Sequence, residues 1–187
     1  MAWIEEVDLG DSNLPEIFRA MSLNPAGLDA VKALNEALAF GGSGLTRVQE
    51  ESIATVVAVA NQCRYSAMTH AGFLRRTTGD DHLAALLLND YTRVNLSPAD
   101  RLMLDFALKL TQKPSSITKA DVEKLKEAGL EDRQILSVVL LTCLYNFMDR
   151  LADGLGVDVP QAYQKLVESW LIGPVTRQPW LMQPKEE

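Results

Sequence analysis

The punctuation of this chain leaves room for little besides helices. No run alternates Val, Ile, Thr or Tyr between Asn-Gly or Asp-Gly turns, so strand signals are scarce. Helix starts and stops, by contrast, fall in register. Asn24-Pro25 supplies an N-cap followed by proline at the first helical position. Leu28, Val31, Leu34 and Leu38 continue with helical spacing until Gly41-Gly42 ends the run. Thr46 with Gln49 forms a capping box ahead of the apolar stretch 53–60. Ser97-Pro98 opens a helix carrying Leu102, Leu104, Phe106, Leu108 and Leu110, which Lys113-Pro114 stops. Thr118 caps a short helix that Gly129 closes. Glu131 and Asp132 suit the N-terminus of a long helix ending near Gly154. The expected fold is therefore all-α, one domain over 1–187 with about six to eight helices.

Length and composition support one sizeable core. At 187 residues, 47% hydrophobic and 23% charged, the chain is ordinary globular material. Its net charge of −7 and its lack of a long Lys/Arg run argue against nucleic acid or an anionic membrane as partner. Two cysteines, Cys63 and Cys143, are too few for a disulfide scaffold and suit a reducing, cytoplasmic compartment. The acidic start has no signal-peptide layout. The longest apolar stretches, 53–60 and 135–148, are short or interrupted and read as core helices. Residues 1–23 form an N-terminal segment and 173–187 an extended arm. Trp180 in that arm needs a surface to cover, on its own subunit or on a neighbour.

The chemistry-bearing residues cluster between 51 and 70. Asn61-Gln62 are poor helix residues, so a break there puts Cys63 in the first turn of a new helix. At ~100° per residue, His70 falls ~20° from Cys63 and Ser66 ~60° from it, so the three share a face. A thiol at a helix N-terminus has its thiolate stabilised, and a nearby histidine can take or return the proton. Glu51, on the preceding helix, can orient that imidazole. The plainer alternatives are a small buried cysteine and a structural histidine. No metal-ligand spacing is present: His70 and His82 are not i, i+4, and neither sits beside a second cysteine.

Lesser candidates read as structural. Arg75-Arg76 form a solvated helix end, and His82 a capping or surface residue. Tyr65 either packs or hydrogen-bonds near the thiol. Asp149-Arg150 could be a buried pair, although adjacent helix positions do not face each other. Cys143, inside the apolar run 136–144, reads as an inert core thiol.

The string Glu51, eleven residues, Cys63-x-Tyr65-Ser66-x-x-x-His70 resembles the active-site signature of the alkylhydroperoxidase AhpD / carboxymuconolactone decarboxylase family. Phrases like Ser22-Leu23-Asn24-Pro25 and Asn146-Phe147-Met148-Asp149-Arg150-Leu151-Ala152-Asp153-Gly154-Leu155-Gly156 point to its uncharacterised peroxidase-related branch. The resemblance runs from about Leu14 to Val157. It implies an AhpD-like helical bundle, a homo-oligomer, no cofactor or metal, and Glu51, Cys63, Ser66 and His70 as site positions. It also implies a small-molecule substrate, a hydroperoxide or small organic acid, and a thiol reductant. One departure matters: the family's second cysteine, which with the first cycles between dithiol and disulfide, is Ser66 here. A serine hydroxyl forms no disulfide. Cys63 could still act through a sulfenic acid reduced by an external thiol, or with Cys143 as resolving partner. Otherwise Glu51 and His70 remain for proton transfer. The readings are thus a cysteine-dependent peroxidase-like oxidoreductase, an acid–base lyase or isomerase, or a non-catalytic binding protein.

Overall fold

A computed structural model describes residues 2–171 and 173–184. Among them there are no strands. The helices are α1 (Glu16–Arg19), α2 (Pro25–Leu38), α3 (Arg47–Asn61), α4 (Arg64–Thr78), α5 (Asp81–Asp90), α6 (Pro98–Gln112), α7 (Lys119–Glu127), α8 (Asp132–Leu155), α9 (Gln161–Glu168) and α10 (Pro179–Met182). The fold is all-α; eight of these helices span two turns or more, and α1 and α10 are single turns.

The caps act where the residue types demand. Asn24 accepts a hydrogen bond from the Gly27 amide, and Ser97 from the Asp100 amide. Thr46 and Gln49 satisfy each other's backbone amides at the start of α3, and Glu131 does the same with Gln134 at α8. Left-handed residues set two of the helix ends. α2 ends at Leu38, because Ala39 is extended and Phe40 is left-handed at φ 60°. α8 runs past Gly154 to Leu155, and Gly156, left-handed at φ 65°, is its C-cap.

α3 lies at the centre, packed against α4, α5, α6 and α8. Its residues from Glu50 to Ala58 are all buried. α8 is long and apolar enough by length and composition to cross a membrane, yet it buries Ile135, Val138, Leu141, Leu144 and Tyr145 against the other helices. Each fully buried Leu or Ile contributes about 1.5–3 kcal/mol, so Leu104→Ala or Leu141→Ala should cost about 2–5 kcal/mol. Gly72 lets Tyr163 of α9 lie against α4, since a Cβ there would overlap the Tyr163 hydroxyl.

The C-terminal arm folds back on its own chain. Leu181 is fully buried, its carbonyl accepts a 2.8 Å bond from Arg64 Nε, and Arg64 also pairs with Asp158. Trp180 packs at the core's edge, with its indole N–H donated to Gln178 at 2.7 Å. Residues 185–187 of the expected arm lie outside the described residues.

Candidate functional site

The capping box fixes where α3 begins, and with it the positions of Arg47, Glu50 and Glu51. Both glutamates are completely buried. That is sustainable only because each is partnered. Arg47 contacts Glu50 at 3.2 Å and pairs with Glu51 one turn on. Glu50 also accepts a 2.6 Å bond from the Ser43 hydroxyl and a 3.1 Å bond from the Gly41 amide. These bonds tie the loop after α2 over the start of α3. Phe40, at the edge of that loop, stacks on the Arg47 guanidinium 4.3 Å from its ring centroid.

Across the α3–α4 junction, His70 Nδ1 lies 2.7 Å from Glu51 Oε2. A carboxylate only accepts, so Nδ1 carries the proton of that bond, and Nε2 is the ring nitrogen not engaged by Glu51. The ring meets Tyr145 edge-on at 4.7 Å and Phe73 at 6.0 Å. It also forms part of the wall of a cavity of about 130 Å³. The rest of that wall is mainly apolar or aromatic: Phe18, Phe40, Phe73, Tyr145 and Met148, with Arg47 at one side. A larger groove of about 320 Å³, lined by residues such as Val56, Leu87, Asn89 and Gln112, contains none of the candidate residues. The smaller cavity is therefore the one adjoining the chemistry.

The break at Asn61-Gln62 is one left-handed residue, Gln62, at φ 55°. Cys63 is the N-cap of α4 rather than a residue of its first turn, and its side chain makes no capping bond. Its sulfur is fully buried, 3.6 Å from Ser66 Oγ and 3.7 Å from the Asp149 carbonyl oxygen. Burial pushes this thiol up strongly, and the carboxylates of Asp149 and Asp153 push it further. The expected stabilisation of a thiolate at the helix N-terminus is thus reversed by desolvation and like charge. Cys63 does not line the 130 Å³ cavity.

The structure therefore brings the four sequence-predicted residues together as two pairs, Glu51 with His70 and Cys63 with Ser66. No hydrogen bond joins His70 to Cys63. Asp149 and Arg150 do not pair, as their adjacent helix positions imply: Asp149 faces the core and is fully buried, whereas Arg150 is exposed and bonds Asn146. Asn61 donates to Asp149 Oδ2 at 2.7 Å, and Oδ1 has no hydrogen-bond partner. Burial raises the Asp149 carboxyl to about 6, against the lowering influence of Asn61, Ser66 and His70. A carboxylate directly after the apolar run 135–148 was the available signal for it. Arg47 was hidden inside the capping box. Cys143 is exposed, which corrects the reading of it as a core thiol: the outer face of α8 is itself apolar. Of the lesser candidates, Arg75 pairs with Asp81, and Asp80 rather than His82 caps α5. Among the described residues no group of three or more His, Cys, Asp or Glu side chains is arranged to hold a metal ion.

No family model and no curated protein matches the chain. Solved structures do. An uncharacterised peroxidase-related protein from Silicibacter sp. TM1040 is 32% identical, with a TM-score of 0.77 over 83% of this chain and 80% of that one. The alkylhydroperoxidase AhpD core of a peroxidase-related protein from Ralstonia eutropha JMP134 is 24% identical, with a TM-score of 0.80 over 87% and 94%. The debrominase Bmp8 shares the fold at 15% identity, with a TM-score of 0.73 over 88% and 96%.

Proposed function

Starting from the fact that the chain belongs to the AhpD-like, peroxidase-related family, we propose that it is an enzyme whose working group is the His70 imidazole. Its substrate is a small, neutral, largely apolar molecule. The observation that carries this reading is the 2.7 Å His70–Glu51 bond on a ring that walls the aromatic cavity. Glu51 fixes the tautomer and orientation of the ring, and Nε2 gives and takes the proton. The size suits a single ring or a short chain, since an engineered apolar cavity of about 150 Å³ binds benzene. A neutral molecule suits the charges: Arg47 is already matched by two carboxylates. The reaction class is proton transfer, as in an isomerase or lyase.

A second reading keeps the sulfur. The 3.6 Å Cys63–Ser66 contact preserves the spacing of a two-thiol site, and the 32% identical protein is described as peroxidase-related. Cys63 would take one oxygen from a hydroperoxide, giving the alcohol and a sulfenic acid. Two equivalents of an external thiol would return it to thiol, releasing water and a disulfide. Both readings include self-association in a cytoplasmic setting. Leu136, Cys143 and Phe147 lie exposed on one face of α8, and sedimentation should show more than a monomer.

Two assays on three proteins separate the readings. Deuterium exchange into cyclohexanone, a neutral single-ring carbon acid, should be accelerated by wild type and by Cys63→Ser, and fall at least ~100-fold in His70→Gln. Loss of tert-butyl hydroperoxide with excess dithiothreitol should be slow throughout. Rapid hydroperoxide loss that vanishes in Cys63→Ser, without any exchange, would replace the first reading by the second.

A further inference from the structure

The proposed reaction makes no use of Asp149, and its neighbours offset only part of the cost of burying it. A buried carboxylate normally has both oxygens bonded. Here Asn61 serves Oδ2 alone, while Oδ1 is buried without a partner. The residue's own carbonyl oxygen is 3.7 Å from the Cys63 sulfur, and the Ser66 hydroxyl, 3.6 Å from that sulfur, also favours the ionised carboxylate. These four residues form a closed cell between α3, α4 and α8, and all but Asn61 are buried.

We infer that Asp149 is the positioning residue that holds Cys63 as a neutral thiol, by presenting negative charge where a thiolate would form and a carbonyl oxygen to which the S–H can donate. The groups that bear on the sulfur are divided, with burial the largest influence against a thiolate. Asp149 and Asp153 of α8 both oppose a negative sulfur, while the Ser66 hydroxyl and amide of α4 favour one. His70 and Tyr145 bear on Asp149. Burial and two carboxylates outweigh one helix N-terminus, so replacing Ser66 by a thiol is not sufficient to make this site reactive. Asp149 must also lose its charge. This inference concerns the state of the sulfur and does not depend on which reaction His70 serves.

The test uses the full chain with Cys143→Ser, so that Cys63 is the remaining thiol, and ¹³Cβ-labelled cysteine. The Cβ shift is followed from about pH 6 to about pH 10, around the ~8.5 of a free thiol. Without further change no thiolate should appear in that window. Asp149→Asn, which keeps the shape and a carbonyl for Asn61, should bring a measurable thiolate signal into the top of the window. Asp153→Asn should shift it in the same direction by less, and it serves if Asp149→Asn does not fold. Amide exchange in α8 must stay slow in the variant. Titration at the free-thiol value with lost α8 protection would mean simple loosening and would overturn the inference. So would unchanged titration in both variants.

Discussion

On α4, Ser66 and His70 lie one turn apart, yet the fold treats the polar groups they meet in opposite ways. Around His70 the buried carboxylates face a cation, although Glu51 Oε1 meets Arg47 as an ion pair and not through a hydrogen bond. Glu50 and Glu51 share Arg47, Glu50 gains Ser43 and Gly41, and Glu51 gains the imidazole. Around Ser66 the buried carboxylate of Asp149 meets only the neutral groups of Asn61 and Ser66, and its Oδ1 has no hydrogen bond. The first cell borders a cavity; the second is sealed. The contrast teaches that two neighbouring clusters of similar composition can be stabilising or costly according to whether their charges are matched.

The comparison breaks most visibly at Arg47. Arg47→Met leaves two fully buried carboxylates without their cation and should cost about 3–5 kcal/mol in urea unfolding. A loss under about 1 kcal/mol would mean that the first cell is not held by charge matching.

Asp149→Asn should do the reverse. The carboxyl stands at 3.8 in an unfolded chain and at about 6 here. A raised value contributes stability that is fully present below 3.8 and is lost as pH rises through about 6. At pH near 7 the ionised group is therefore a burden of about 3 kcal/mol, which the amide removes. Thermal unfolding should find the variant more stable than wild type at neutral pH, with the gap narrowing on acidification through that window. A gap independent of pH would refute the account.

Ser66→Cys sharpens the comparison chemically. The new thiol would lie within one helical turn of Cys63, so hydroperoxide loss with excess dithiothreitol should rise only modestly. Combined with Asp149→Asn it should rise a further tenfold, about 1.4 kcal/mol of barrier. Equal rates for the single and double variants would show that Asp149 does not restrain the pair.

The smallest expected change lies at the cavity mouth. Phe40→Gly relieves a left-handed backbone worth about 1–2 kcal/mol and loses an Arg47 stack worth about 0.5–1. The melting temperature should move by only a few degrees.

Helix starts were legible in the sequence because a cap is a local event: Thr46 and Gln49, or Ser97 before Pro98, need no distant partner. Glu51 and His70 were legible as a spacing across a break. Asp149 was not, because its meaning depends on the rotation of α8. That helix is apolar on both its buried and its exposed faces, so periodicity could not separate Leu144 inside from Leu136 and Cys143 outside. The surroundings of Cys63 were missed for the same reason: the carboxylates that oppose its ionisation come from α8, eighty-six or more residues along the chain.

Gln62 gives the spacing of the motif a mechanical meaning. It is the sole left-handed residue between α3 and α4, and it reverses the chain in one step. The two helices then behave as the legs of a caliper set at that joint. Glu51 stands eleven residues up one leg and His70 eight up the other. Adding or removing one residue between either side chain and the joint would swing that side chain about 100° around its helix and part the pair. The eleven-residue interval between Glu51 and Cys63 is thus a length tolerance, imposed by the hinge and indifferent to which reaction the imidazole serves.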